Sequence, residues 1–233
     1  MGEKGVIAPN VKRAVHSLSL DDNRMWTFPM SFNPVLMGAE DKVNEAWFAG
    51  EHGDVGGCFL SKGLTDFSIE HMMEWMASSE KLGEDSKLSF LKPEQVSSAS
   101  LKTGYPNLEI PNEALSIAPD ASDQTHLYDP QQTGDDPSYR EIVLAQNDDI
   151  VPGGLVKIHK SVLLHMEARK QKGLFYPVNK NLKDANFVVV GSLGEELESE
   201  TKKLAELLKE PAPVMTAAEK EQYLSTDKNL LLS

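Results

Sequence analysis

Between Trp47 and Gly57 the chain reads Trp-Phe-Ala-Gly-Glu-His-Gly-Asp-Val-Gly-Gly, with four glycines, Gly50, Gly53, Gly56 and Gly57, inside eight positions. Glycine lets the backbone take positive φ and lets other groups approach closely. A loop of this kind at a strand end is a favoured place for reactive side chains held by a rigid scaffold. His52 stands at its centre, with Asp54 two positions on. An imidazole titrates near neutral pH, so His52 can serve as a general base once its ring is oriented. The same residues also fit a tight connection around an ordinary turn histidine, and the loop taken alone does not decide between the two.

The other reactive residues form weaker patterns. Ser161 lies between His159 and His165, but a Ser and a His this close in sequence rarely reach the geometry of nucleophile and base. Val190-Gly-Ser-Leu-Gly follows a strand and precedes a helix, which is the context of a nucleophile elbow around Ser192. Val190 nevertheless stands where the elbow needs a small residue, and Ser192 follows the histidine that it should precede. His71 reads as a residue on a helix face, His16 as part of a helix packed under the glycine loop, and His126 as a loop residue. No HExxH pair or Cys-His spacing is present, and Cys58 is the single cysteine, so neither a zinc hydrolase nor an internal disulfide is supported.

These candidates need elements to hold them. Val43 to Phe48 reads as a strand leading into the loop. Asp66 reads as the N-cap of a helix with Phe67, Ile69, Met72, Met73 and Met76 at helical spacing. Val156-Lys-Ile-His follows a Pro-Gly-Gly turn as a short strand or the start of a helix, and Phe187 to Val190 reads as a further strand. Glu195 to Lys209 is an amphipathic helix with Leu197, Leu204, Leu207 and Leu208 on its apolar side. Thr216 and Glu219 make a capping box before a last short helix. Residues 119–149 carry eight acids against Arg140 alone, with Pro119, Pro130, Gly134 and Pro137, and read as a long surface loop without the spacing of a calcium site. Strands and helices mix, so the class is α/β or α+β.

Composition bounds the function. Acidic residues outnumber basic ones 36 to 23, for a net charge of −13. Such a chain is repelled by phosphate backbones, which argues against nucleic-acid binding. The longest uncharged run, Met25 to Ala39, is too short for a membrane span and holds Pro29 and Pro34. No signal-peptide pattern follows Met1, so synthesis in the cytoplasm is expected, with export without a signal peptide left open.

The string Ala46 to Gly57 closely resembles the W-F-x-G-x-H-x-D-V-G-G signature of a lipase-like α/β-hydrolase domain family. That family was long catalogued as an uncharacterised domain and includes phospholipase effectors of bacterial type VI secretion. Ala14 to Arg24 resembles its H-A-L-x-x-D-E-R-R segment, and Leu64 to Met76 its helix L-x-D-I-x-L-x-W-M. Ile158-His-Lys-Ser-Val and Tyr176-Pro-Val-Asn resemble its closing segments. The resemblance implies a Ser-Asp-His triad without metal or organic cofactor, in which His52 is the general base. It implies that Trp47 and Phe48 wedge the loop in place and that Asp54 supports the loop by holding backbone amides.

The family's nucleophile elbow, its G-T-W-N-like strand and its acidic triad member lie upstream of the segment matched here, and ten residues precede Val11. Gly53 stands where Ser is common, and Cys58-Phe-Leu replaces a Gly-Tyr continuation. The expected architecture is therefore a partial α/β-hydrolase-like sheet with flanking helices, the acidic loop and a helical C-terminal tail. Its expected division is a hydrolase-like portion at 1–185 and a strand with helical tail at 186–233. The expected function is the His-bearing C-terminal part of an ester hydrolase that needs a Ser-bearing half or another protein as partner, with a lipid or other ester as substrate. The alternative is a non-catalytic pseudo-hydrolase or interaction module.

Overall fold

A computed structural model describes residues 7–21, 42–50, 52–57, 64–78, 82–85, 87–89, 154–171 and 179–211, with Ile142 and Ala217 besides. Four strands, β1 (Ala14–Ser19), β2 (Val43–Phe48), β3 (Val156–His159) and β4 (Phe187–Val190), pair in chain order into one parallel sheet. Helices α1 (His52–Gly56) and α2 (Leu64–Ala77) follow β2. Helix α3 (Ser161–Gln171) follows β3, and α4 (Glu198–Leu207) follows β4. The fold is a partial α/β sheet with flanking helices, as expected. The acidic 119–149 segment and the Thr216–Glu219 capping box lie outside the described residues, with two exceptions. Ala217 is helical, and Ile142, from an apolar stretch inside the acidic segment, packs into the core.

Parallel strands are covered on both faces, so their side chains divide between two cores. One face gathers Leu18, Trp47, Val156, Ile158 and Val189 with Val162, Leu163 and Met166 of α3 and Leu204 and Leu207 of α4. The other gathers Ala46, Phe48, Val188 and Val190 with Phe67 of α2 and Val55 of α1. Burying a side chain of this size removes about 1.5–3 kcal/mol of unfavourable hydration each, which is what holds the layers together.

The two edges of the sheet differ. Beyond β4, the chain turns back so that Val190 bridges Glu196, Leu197 N–H donates to Val189 O at 2.8 Å, and Thr201 Oγ1 accepts Val189 N–H at 2.8 Å. That edge is sealed. At β1 no described strand pairs with the outer edge, and Ala14 to Ser17 are only half-buried.

Three expectations change. His16 lies on strand β1, not on a helix, because the pairing with β2 from Ala14↔Val43 to Ser19↔Phe48 overrides a segment whose own β propensity is weak. Helix α2 begins at Leu64, ahead of Asp66. Helix α4 begins at Glu198, since Glu195 and Glu196 are taken up by the turn that seals the β4 edge.

Candidate functional site

At the end of β2 the chain bends at Ala49 and Gly50 and enters α1 at His52. Gly50 has φ +99°, and a Cβ there would lie 2.6 Å from the Asp54 Cβ and 2.9 Å from Leu64 Cδ1. Only glycine fits, both for conformation and for space. Gly50 N–H donates to Asp21 Oδ2 at 2.8 Å, tying the bend to the end of β1. Thr65 Oγ1 donates to Asp54 O at 2.7 Å, and Ser68 Oγ donates to Val55 O at 2.8 Å, so α2 grips α1 by its carbonyls. Asp54 is buried beneath Gly50 and Leu64, whereas His52 is exposed. The two residues paired by spacing therefore occupy different environments.

His52, Val55, Gly56 and Gly57 form one end of a groove of about 610 Å³. Its other walls are His16, Ser17 and Ser19 of β1 and Ser68, Ile69, Met72, Met73 and Met76 of α2. Beside it, His16 Nδ1 and Glu45 Oε1 lie 2.8 Å apart, a half-buried imidazole oriented by a carboxylate. Sequence reasoning missed Glu45 and Asp21. Asp21 was within reach, since it falls in the Ala14–Arg24 segment. Glu45 carried no signal, because its pairing with His16 exists only through strand register.

Ser161 and Ser192 do not line the groove. The Ser192 turn is no elbow between strand and helix: it folds back as Gly191 N–H donates to Glu195 O at 2.9 Å and Leu193 N–H to Glu195 Oε2 at 3.0 Å. A Cβ at Gly191 would collide with the Glu195 carboxylate.

His71 and His159 lie in a buried aromatic cluster on the α2 face of the sheet, where His159 stacks on Phe48 with ring centroids 4.2 Å apart. His71 packs edge-on against Phe48 and His159 at 5.2 and 5.7 Å. Ser161 N–H donates to His159 Nδ1 at 3.3 Å, so that ring is neutral with its proton on Nε2. Burial pushes His71 down to about 4, against the weaker pull of the Ser192 backbone and Glu195. Neither His71 nitrogen makes a hydrogen bond of sound geometry. Burial, then His71 and Lys160, pushes His159 down to about 2. His71 is thus a core residue and not the helix-face residue expected. His126 and Cys58 lie outside the described residues.

No group of three or more His, Cys, Asp or Glu converges among the described residues in a way that would hold a metal ion. No helix among them is long and apolar enough to cross a membrane.

β1, the glycine loop, α1 and all of α2 fall within one stretch of sequence, and that stretch is similar to a known family. Residues 3–79 match the family model of the Tle1-like phospholipase effector catalytic domain of type VI secretion. No curated protein and no solved structure matches the chain. The Tle1-like match agrees with the resemblance carried by the Ala46–Gly57 signature and covers the groove walls from His16 to Met76. Strands β3 and β4 lie beyond the Tle1-like match, yet complete the same sheet.

Proposed function

We propose that this chain carries the His-bearing part of a Ser-His-Asp ester hydrolase acting on a lipid or related ester, with His52 as its general base. The observation that carries the reading is the exposed imidazole just past the carboxyl end of β2, at the head of an apolar groove, on a loop fixed by Gly50 and Asp21. In open α/β sheets, ligands bind outside the carboxyl ends of the strands. His52 takes the proton of an attacking Ser hydroxyl and returns it to the leaving alcohol. Asp54, buried under the bend, supports the loop. The sequence holds no G-x-S-x-G, so the nucleophile comes from another segment or chain, and this portion is inactive by itself. The Tle1-like match supports a phospholipid among the candidate substrates.

The test is hydrolysis of a phospholipid and of a short-chain ester by this chain, alone and mixed with a Ser-bearing half of a Tle1-like catalytic domain. The expected result is no turnover alone, and turnover in the mixture that His52→Ala abolishes. Turnover by the chain alone that survives His52→Ala and is lost with Ser192→Ala overturns the reading.

A second reading, an interaction module without catalysis, is favoured by the outer edge of β1, where no described strand pairs, beside the apolar groove. It predicts a mixture that assembles but shows no His52-dependent turnover.

A further inference from the structure

Helix α2 meets the sheet through Leu64, Phe67, His71 and Trp75. Leu64 belongs to the larger core, and Phe67 joins Ala46, Phe48, Val188 and Val190 in the smaller one. On the opposite face Val162, Leu163 and Met166 of α3 and Leu204 and Leu207 of α4 are all bound into the larger core. The α2 layer is therefore the thinner of the two, and layers with few buried apolar contacts are the ones that open first.

Two imidazoles sit at the centre of this thinner layer. His71 of α2 and His159 at the end of β3 are both 0% exposed, with ring centroids 5.7 Å apart, and both pack on Phe48. Phe67 lies edge-on to His159, and Trp75 edge-on to His71. No hydrogen bond of sound geometry reaches either His71 nitrogen, His159 Nε2 or the neighbouring Ser161 Oγ. A charge placed here would be buried without a partner, which costs far more than burying the neutral ring. Two charges would also repel each other at this separation. The rings take protons only where water reaches them, and α2 keeps water out.

We propose that the pair is an acid release for α2: as protons bind the two rings, α2 lifts away while the four strands, α3 and α4 stay together. Lifting hydrates both rings at once, because His71 leaves with α2 and Phe67 leaves His159. Thr65 and Ser68, which hold α1 by its carbonyls, leave as well, so the bend that presents His52 is freed. The release stands on the packing of α2 and holds whether or not the groove hydrolyses an ester.

The surrounding charges set its direction. Burial lowers both rings, His71 to about 4 and His159 to about 2, so the closed form is fully favoured above pH 6.5 and loses favour as pH falls below it. Lys160 reinforces this at His159, and Glu195, in the turn after β4, opposes it weakly at His71. Glu70 of α2 runs the other way. Burial and then Glu74 raise it against the pull of Lys160, with Asp66 adding to the rise, so acid favours closure through that carboxyl. Asp54 and His52 of α1, and His16 of β1 with its partner Glu45, give neither ring a counter-charge.

Hydrogen exchange of the whole chain, followed by mass spectrometry and corrected for the pH dependence of exchange itself, tests the release. Each ring that gains a proton on opening contributes up to about tenfold per pH unit, and Glu70 takes back less than that. The opening constant of the α2 amides from Phe67 to Trp75 should rise about tenfold or more between about pH 6 and 5, while Val189 and Leu204 keep their protection. Return to neutral pH restores protection to α2. His71→Phe and His71→Gln each remove one of the two protons, so the rise shrinks by about tenfold. They fill the site differently, and circular dichroism at neutral pH selects the variant that is folded. An unchanged rise in that variant overturns the proposal. So does a loss of α2 protection that occurs only in step with Val189 and Leu204.

Discussion

Gly50 carries the bend that presents His52, and its replacement tests how tightly the loop is built. Gly50→Ala places a side chain at φ +99° and against Asp54. Strain of this kind and overpacking each cost about 1–3 kcal/mol. The expected outcome is a loss of about 3 kcal/mol or more in chemical denaturation. The buried imidazoles make a second prediction. The unfolded chain takes up protons at His71 and His159 near pH 6.5, whereas the folded protein resists until about 4 and about 2. Their contribution is therefore complete above pH 6.5 and is lost as pH falls through the window below it. His71 alone removes about 3 kcal/mol by pH 4, at about 1.4 kcal/mol per unit. Urea unfolding at several pH values reads this loss. His71→Phe, which removes two nitrogens without sound hydrogen bonds, should stabilise the protein by about 1 kcal/mol at pH 7 and flatten the acid dependence. At this scale the sequence was informative about the glycine loop, because glycine clusters have few structural uses. It was misleading about His71, since nothing local marks a histidine that packs edge-on among Phe48, Trp75 and His159.

Among the elements, Thr201 has the clearest consequence. Its hydroxyl donates to Leu197 O at 2.8 Å while accepting Val189 N–H, so a residue of α4 completes the ladder of β4. Thr201→Val keeps the shape and orphans that amide, for a cost of about 1–3 kcal/mol. Hydrogen exchange should show protection at Val189 falling further than at Ile158 in the middle of the sheet. Strands β2 and β4 were legible from their apolar runs, and β3 from its turn and short apolar pattern. Strand β1 was not: Ala-Val-His-Ser-Leu-Ser carries little β preference, and it is extended because β2 pairs with it along its whole length. For α2 the spacing of Phe67, Ile69, Met72, Met73 and Met76 was read correctly as helical, but it did not say which of them meet the core. Periodicity identifies a stripe but not its partner, and on this helix the interleaved Leu64, Phe67, His71 and Trp75 face the sheet.

On the scale of the whole molecule, a net charge of −13 sets a repulsive field for anions approaching the groove. Binding of dodecanoate should tighten as ionic strength rises from about 0.01 to 0.15 M, over which the Debye length shrinks from about 30 to 8 Å. Zwitterionic dodecyl-phosphocholine should be indifferent to salt over the same range, and calorimetry distinguishes the two. The unlike edges of the sheet set a different limit. A parallel sheet exposed on both sides could add copies of itself without end, which is the route to fibres. Here Glu196, Leu197 and Thr201 occupy the β4 side, while no described strand pairs with the outer edge of β1. Growth by strand addition is therefore closed on the β4 side, whatever the concentration.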